Sequence, residues 1–197
     1  ELARGLTADG GEVLLAVIGP APDTAQRAEA AAIAGLSIAE TGLGLEWQDR
    51  AGPLQPQACR ELLALERSFR PNLVHCNGFR EAAAGFAAPV VLTAHSCVAT
   101  WWQACRGEPL PPDWSDYARG VRAGLAAASA VVAPTESYRC ALARAWGAVP
   151  PVRVVRNGLD LAAPPIPARR RPIVLAAGRL WDDAKNVAAL AGIAPEL

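Results

Sequence analysis

The sequence predicts an α/β fold built on a parallel sheet with helices on both of its faces, followed by the opening of a second unit of the same kind. Three observations carry that expectation. Apolar runs of strand length alternate with Ala-rich helical stretches along the chain, which is how successive strand–helix–strand units read. The runs are almost continuously hydrophobic, as strands covered on both faces require. A proline-rich break then stops the rhythm before it restarts.

Taken in order, ELARGL at Glu1 reads as the tail of a helix whose own preceding strand would lie upstream. EVLLAVIG from Glu12 is the first strand, and LSIAE from Leu36 is a weaker candidate. A helix is expected over Leu54 to Phe69, a strand at LVHC from Leu73, a short helix over Arg80 to Phe86, and a strand at PVVLTA from Pro89. Helix Trp114 to Ala128 leads to strand AVVAP from Ala130, and helix Glu136 to Trp146 leads to VRVV from Val152. Thr135 can cap the last of these helices with its hydroxyl, and Gly147 can close it. The segment LDLAAPPIPARRR, from Leu159 to Arg171, holds three prolines that resist helix and sheet alike, so residues 159–171 read as a linker. PIVLAAGRLWDDAKNVAALAGIA then offers a strand from Pro172 and a helix from about Asn186. The expected division is a first domain over residues 1–158, the linker, and a truncated second domain over residues 172–197. One strand and one helix cannot bury their own apolar face.

Composition narrows the function classes. A chain of 197 residues that is 52% hydrophobic and 19% charged has enough apolar material for a sizeable core. Its formal net charge is zero, so no overall field draws it to nucleic acid or to an anionic membrane. The run Arg169, Arg170 and Arg171 fits a solvated linker better than a binding patch. Five cysteines with no CxxC pair and no histidine at ligand spacing point to thiols in a reducing compartment, and no apolar stretch or leader suggests a membrane span or secretion. A cytoplasmic protein is expected, with at most peripheral membrane contact. The sequence contains no methionine and reads as a fragment.

Of the 19 basic residues one is lysine, Lys185, and it lies where an ammonium has a use. An apolar strand runs into Gly178 and Arg179, then a short loop, then Lys185 at a helix start. Glycine permits close approach of backbone to ligand, and two cations converging on one loop can hold a diphosphate. The plainer reading, in which Arg179 and Lys185 pair with Asp182 and Asp183, stays open. A second constellation is PVVLTAHSCVATWW, in which a buried strand delivers His95 into a loop, with Ser96 beside it and Trp101 and Trp102 after it. Carboxyl ends of parallel strands border the ligand crevice, so His95 is well placed for a substrate. In LVHCNGFREAA, Asn77 is the better site candidate, whereas His75 reads as a core residue. The indoles of Trp101 and Trp102 could stack on a ring or simply cover apolar surface. GLGLEW at Gly42 begins like a dinucleotide fingerprint but has Trp47 where the third glycine belongs, so nicotinamide cofactor binding is not expected.

PIVLAAGRLWDDAKNVAAL looks like the opening of the donor-binding domain of the family 4 glycosyltransferases, retaining enzymes of the two-domain GT-B fold. AVVAPTESYRCALARAWGAVPPVRVVRNGLDL is similar to the end of their acceptor domain, where an Asn-Gly-x-Asp turn leads into the hinge. The resemblance implies a Rossmann-like acceptor domain and metal-independent transfer of a sugar from a nucleotide-diphosphate-sugar donor, with no cofactor. It implies that Arg179 and Lys185, beside Gly178, contact the donor phosphates, and that His95 positions or polarises the sugar. Asn77, Ser96, Trp101 and Asn157 would line the cleft, which would close about a hinge near Asn157 to Asp160. The acceptor would be a glycan, a lipid or a small molecule, and nucleic acid would not be a partner. The family's glycine-rich loop would lie before Glu1, and its two glutamates separated by seven residues would lie beyond Leu197. Residues 1–197 alone are therefore expected not to turn over. A noncatalytic module that binds glycan or protein, or a sugar-nucleotide epimerase, are the alternatives.

Overall fold

The structure is a computed structural model and describes residues 1–48, 56–147, 150–158 and 172–193. The linker, including Arg169 to Arg171, and the second half of the expected hinge lie outside these residues. The chain opens with α1 (Leu2–Ala8), β1 (Val13–Val17), α2 (Thr24–Ala31) and β2 (Leu36–Glu40). It continues with α3 (Pro56–Phe69), β3 (Val74–Cys76), α4 (Phe79–Ala82), β4 (Val90–Thr93) and α5 (Val98–Arg106). Then come α6 (Ser115–Ala127), β5 (Ala130–Ala133), α7 (Glu136–Trp146), β6 (Val152–Val154) and α8 (Ala188–Ile193).

The fold class is the expected one: parallel sheets flanked by helices. β1 and β2 form a parallel pair running from Val13 beside Leu36 to Val17 beside Glu40, so the weaker strand candidate is real. β3, β4, β5 and β6 form a second parallel sheet in chain order. Register fixes what each face of this sheet carries. Cys76 stands beside Leu92, and Leu92 beside Val131. These residues share one face with Val90 and Ala94 in the buried core, packed under Phe79, Val121, Leu125, Leu142 and Trp146 from α4, α6 and α7. The alternate residues His75, Val91, Thr93 and Val132 occupy the other, less buried face.

Close packing of α4 on α6 depends on one glycine. A Cβ at Gly124 would sit 1.7 Å from the Phe79 carbonyl oxygen, so no side chain fits there. The discounted GLGLEW segment has a structural use instead. Its Leu43 carbonyl accepts from the Gly19 amide at 2.7 Å. Its Glu46 carboxylate accepts from the Phe79 and Arg80 amides at 3.2 and 2.8 Å, capping α4. Arg80 returns a bond to the Gly44 carbonyl at 2.8 Å. The loop thus straps the β1–β2 pair to the larger sheet.

Five elements differ from expectation, each for a local reason. α2 forms behind a full capping box between Asp23 and Gln26, a pattern that was readable in the sequence. α5 replaces the expected loop; its cap is the Cys97 sulfur, an unusual acceptor, and Gly107 ends it in the left-handed region at φ 68°. α4 stops after Ala82, and the chain then turns at Gly85 with φ 89°. The expected strand from Pro172 is not formed: Ile173, Val174 and Leu175 are 61%, 65% and 82% exposed, and no described strand lies beside them to take their backbone hydrogen bonds. The helix expected from about Asn186 is preceded by a 3₁₀ turn over Asp183–Lys185, and Asn186 itself is left-handed at φ 45°. Among the described residues no helix is long and apolar enough to cross a membrane. Cys76, Cys97, Cys105 and Cys140 are thiols outside any disulfide.

Candidate functional site

Two groups of residues stand out, one at the carboxyl edge of the larger sheet and one in the loop before α8. At the sheet edge, β3 and β4 run parallel with His75 beside Val91, so His75, Asn77, Thr93 and His95 fall on the same side by alternation. Their contacts agree with that placement. His95 Nε2 lies 3.1 Å from Asn77 Oδ1, and His75 Nε2 lies 2.7 Å from Thr93 Oγ1. With the amide oxygen accepting, His95 carries its proton on Nε2 and keeps a lone pair on Nδ1. That nitrogen can accept from a substrate hydroxyl. His95, Ser96 and Asn77 are all exposed, so a ligand can reach them.

His75 departs from the core reading: it is exposed on the less buried face, because its neighbours Val74 and Cys76 take the buried one. Partial burial, with the nearby His95 adding to it, holds its imidazole below the usual histidine range. Beneath the edge, Arg80 and Glu81 form a buried ion pair at 3.0 Å, and burial raises the Glu46 carboxyl above its ordinary range. Burial also pushes the Cys76 thiol up to about 12, so it is inert as a nucleophile. A Cβ at Gly78 would meet Glu81 Oε2 at 2.2 Å, so a side chain next to Asn77 would have to displace the Glu81 carboxylate from its place beside Arg80. Thr93, Glu46 and the Arg80–Glu81 pair were not singled out in the sequence. Only Thr93, at a strand end beside His95, carried a signal.

In the second group, the backbone of Gly178 lies against the Lys185 stem; a Cβ there would stand 3.3 Å from Lys185 Cγ. Glycine therefore lets the turn and the ammonium approach. Arg179 donates from Nε and Nη2 to Asp182 Oδ2 at 3.2 and 2.6 Å, and its guanidinium lies 5.2 Å from the Trp181 ring centroid. The other Asp182 oxygen accepts from the Ala184 amide at 3.1 Å. The Arg179 guanidinium holds the Asp182 carboxyl below the usual carboxylate range. Two of the five guanidinium N–H groups are so engaged, and the Arg179 side chain is 63% exposed. Asp183 takes a different partner, Arg106 of α5, at 2.6 Å. Among the described residues Lys185 has no ion-pair partner.

The remaining candidates fall as follows. Trp101 lies on α5, with the Arg106 guanidinium 5.6 Å from its ring centroid. Asn157 is exposed at the end of the described stretch after β6. A depression of about 420 Å³ lies at the opposite, amino-terminal edge of β3 and β4, lined by Glu66, Arg67, Arg70, Asn72 and Pro89 among others. It contains none of the candidate residues.

The chain matches the family model described as Glycosyltransferase Family 4 over residues 1–163. No curated protein matches it.

Proposed function

The chain belongs to glycosyltransferase family 4, and from that premise we propose that it takes part in transfer of a sugar from a nucleotide-diphosphate-sugar donor to an acceptor, with retention of anomeric configuration and without a metal ion. The acceptor is a glycan, a lipid or a small molecule. Residues 1–158 form the acceptor side, and residues 172–197 open the donor side. The protein works in the cytoplasm.

The observation that carries this reading is the approach of the Gly178 backbone to the Lys185 stem, with Arg179 next to Gly178 in the same loop. When the glycosidic bond to the donor breaks, negative charge grows on the departing diphosphate. Arg179 supplies a partly held fork, and Lys185 an ammonium with no ion-pair partner among the described residues, to that charge, a preorganised electrostatic stabilisation. His95, fixed by Asn77, offers Nδ1 to a hydroxyl of the sugar or acceptor and orients it for attack on the face the leaving group vacates.

The test is a screen of UDP-, GDP- and ADP-sugars on the full-length protein, with the anomeric configuration of the product read by proton NMR. Transfer with the donor's own configuration is expected, and His95→Ala should lower its rate about 100-fold while leaving nucleoside diphosphate affinity within twofold. An inverted product, or a donor isomerised with nothing transferred, would contradict the reading.

A further inference from the structure

The loop that carries Arg179 and Lys185 does not stand alone, for it is held by a helix some eighty positions earlier in the chain. Asp182 and Asp183 are adjacent, yet they face different partners. Asp182, with a side chain 7% exposed, grips Arg179 and caps the 3₁₀ turn that ends at Lys185. The Trp101 indole of α5 is near enough to help hold this carboxylate in its charged form. Asp183 turns the other way, to Arg106 in the last turn of α5. Arg106 in its turn lies over the Trp101 ring. One set of contacts thus joins Trp181, Arg179 and Asp182, and a second joins Trp101, Arg106 and Asp183; the adjacent Asp182 and Asp183 link the two. α5 begins at Val98, three residues after His95.

Chemistry gives this arrangement a purpose. Two neighbouring carboxylates next to a diphosphate site would repel the ligand unless each was neutralised or turned away. Arg179 neutralises Asp182, and Arg106 neutralises Asp183, which leaves the Lys185 ammonium for an incoming anion. An exposed ion pair such as Arg106–Asp183, with side chains 49% and 53% exposed, adds little to folding stability. It can still set local charge and loop position.

We propose that Trp101 and Arg106 of α5 are positioning residues for the anion loop: they clamp Asp182 and Asp183 so that Arg179 and Lys185 present their remaining donors to one diphosphate. The clamp links phosphate occupancy to the helix that follows His95. It rests on the reading of the Arg179–Lys185 loop as a diphosphate site.

The experiment is calorimetric titration of the whole chain with inorganic pyrophosphate, with thermal unfolding as the check on folding. Arg106→Asp should lower affinity about tenfold, and combining it with Asp183→Arg should restore affinity to within threefold of wild type. Trp101→Phe keeps the ring and the net charge but loses the indole N–H; it should lower affinity about threefold with an unchanged unfolding midpoint. Arg106→Lys should retain most of the affinity. If Arg179→Ala and Lys185→Ala weaken pyrophosphate binding while Arg106→Asp and Trp101→Phe do not, the clamp is wrong and the anion site stands. If Arg179→Ala and Lys185→Ala also bind as wild type, the anion site itself falls and the clamp with it. A double variant no better than Arg106→Asp alone would likewise overturn the clamp.

Discussion

His95 and His75 occupy neighbouring strand ends, yet their surroundings give them different parts. His95 is exposed and held by Asn77 through one nitrogen, which suits a residue that meets substrate. His75 bonds Thr93 and is disfavoured as a cation by burial and by His95. The second fact has a consequence for stability. The unfolded chain takes up a proton at His75 near the ordinary value of 6.5, whereas the folded chain resists it to a lower pH. Stability from this residue is therefore complete above the ordinary value and is lost as pH falls from there towards the depressed folded value. His75→Gln should flatten that part of the pH profile, measured as urea midpoints from about pH 7 to about pH 5.5. Parallel profiles for the two proteins would show that His75 does not titrate abnormally. His95, Asn77, Arg179 and Lys185 were legible in the sequence as polar or charged residues at the ends of apolar runs. Asp182 and Arg106 were less so, because their importance comes from partners that only the folded chain brings together.

At the scale of elements, strands were easier to read than the helices that cover them. Val, Leu and Ile runs such as VVLT and AVVA mark their own limits, and the structure forms them within a residue or two. α5 was hidden because its start is a cysteine cap, and α2 because a short Ala-rich stretch resembles a loop when its capping box is overlooked. The segment from Pro172 shows the opposite limit. Its sequence reads as a strand, but strand character needs a partner, and apolar residues without one stay exposed. Packing of α4 on α6 gives a sharp check at this scale. Gly124→Ala forces a methyl group against the Phe79 carbonyl and should destabilise the fold by about 3 kcal/mol, seen in urea unfolding. A loss below about 0.5 kcal/mol would mean that the two helices can part without cost.

For the whole molecule, the larger sheet and the loop before α8 are joined by α5, which follows His95 and meets Asp183 through Arg106. Membership of glycosyltransferase family 4 accounts for residues 1–163 and so for the sheet edge. The proline-rich break that prompts a division into two domains lies outside the described residues, and the contact from α5 to the loop before α8 was not legible, since no sequence rule pairs Arg106 with Asp183. In the proposed function, Lys185 and its turn receive the diphosphate of a nucleotide-sugar donor. Its most direct test is calorimetry with UDP, GDP and ADP on wild type and Lys185→Ala. For the nucleotide bound best, affinity should fall about tenfold, or about 1.4 kcal/mol, in the variant; equal affinity in the two proteins would contradict the account.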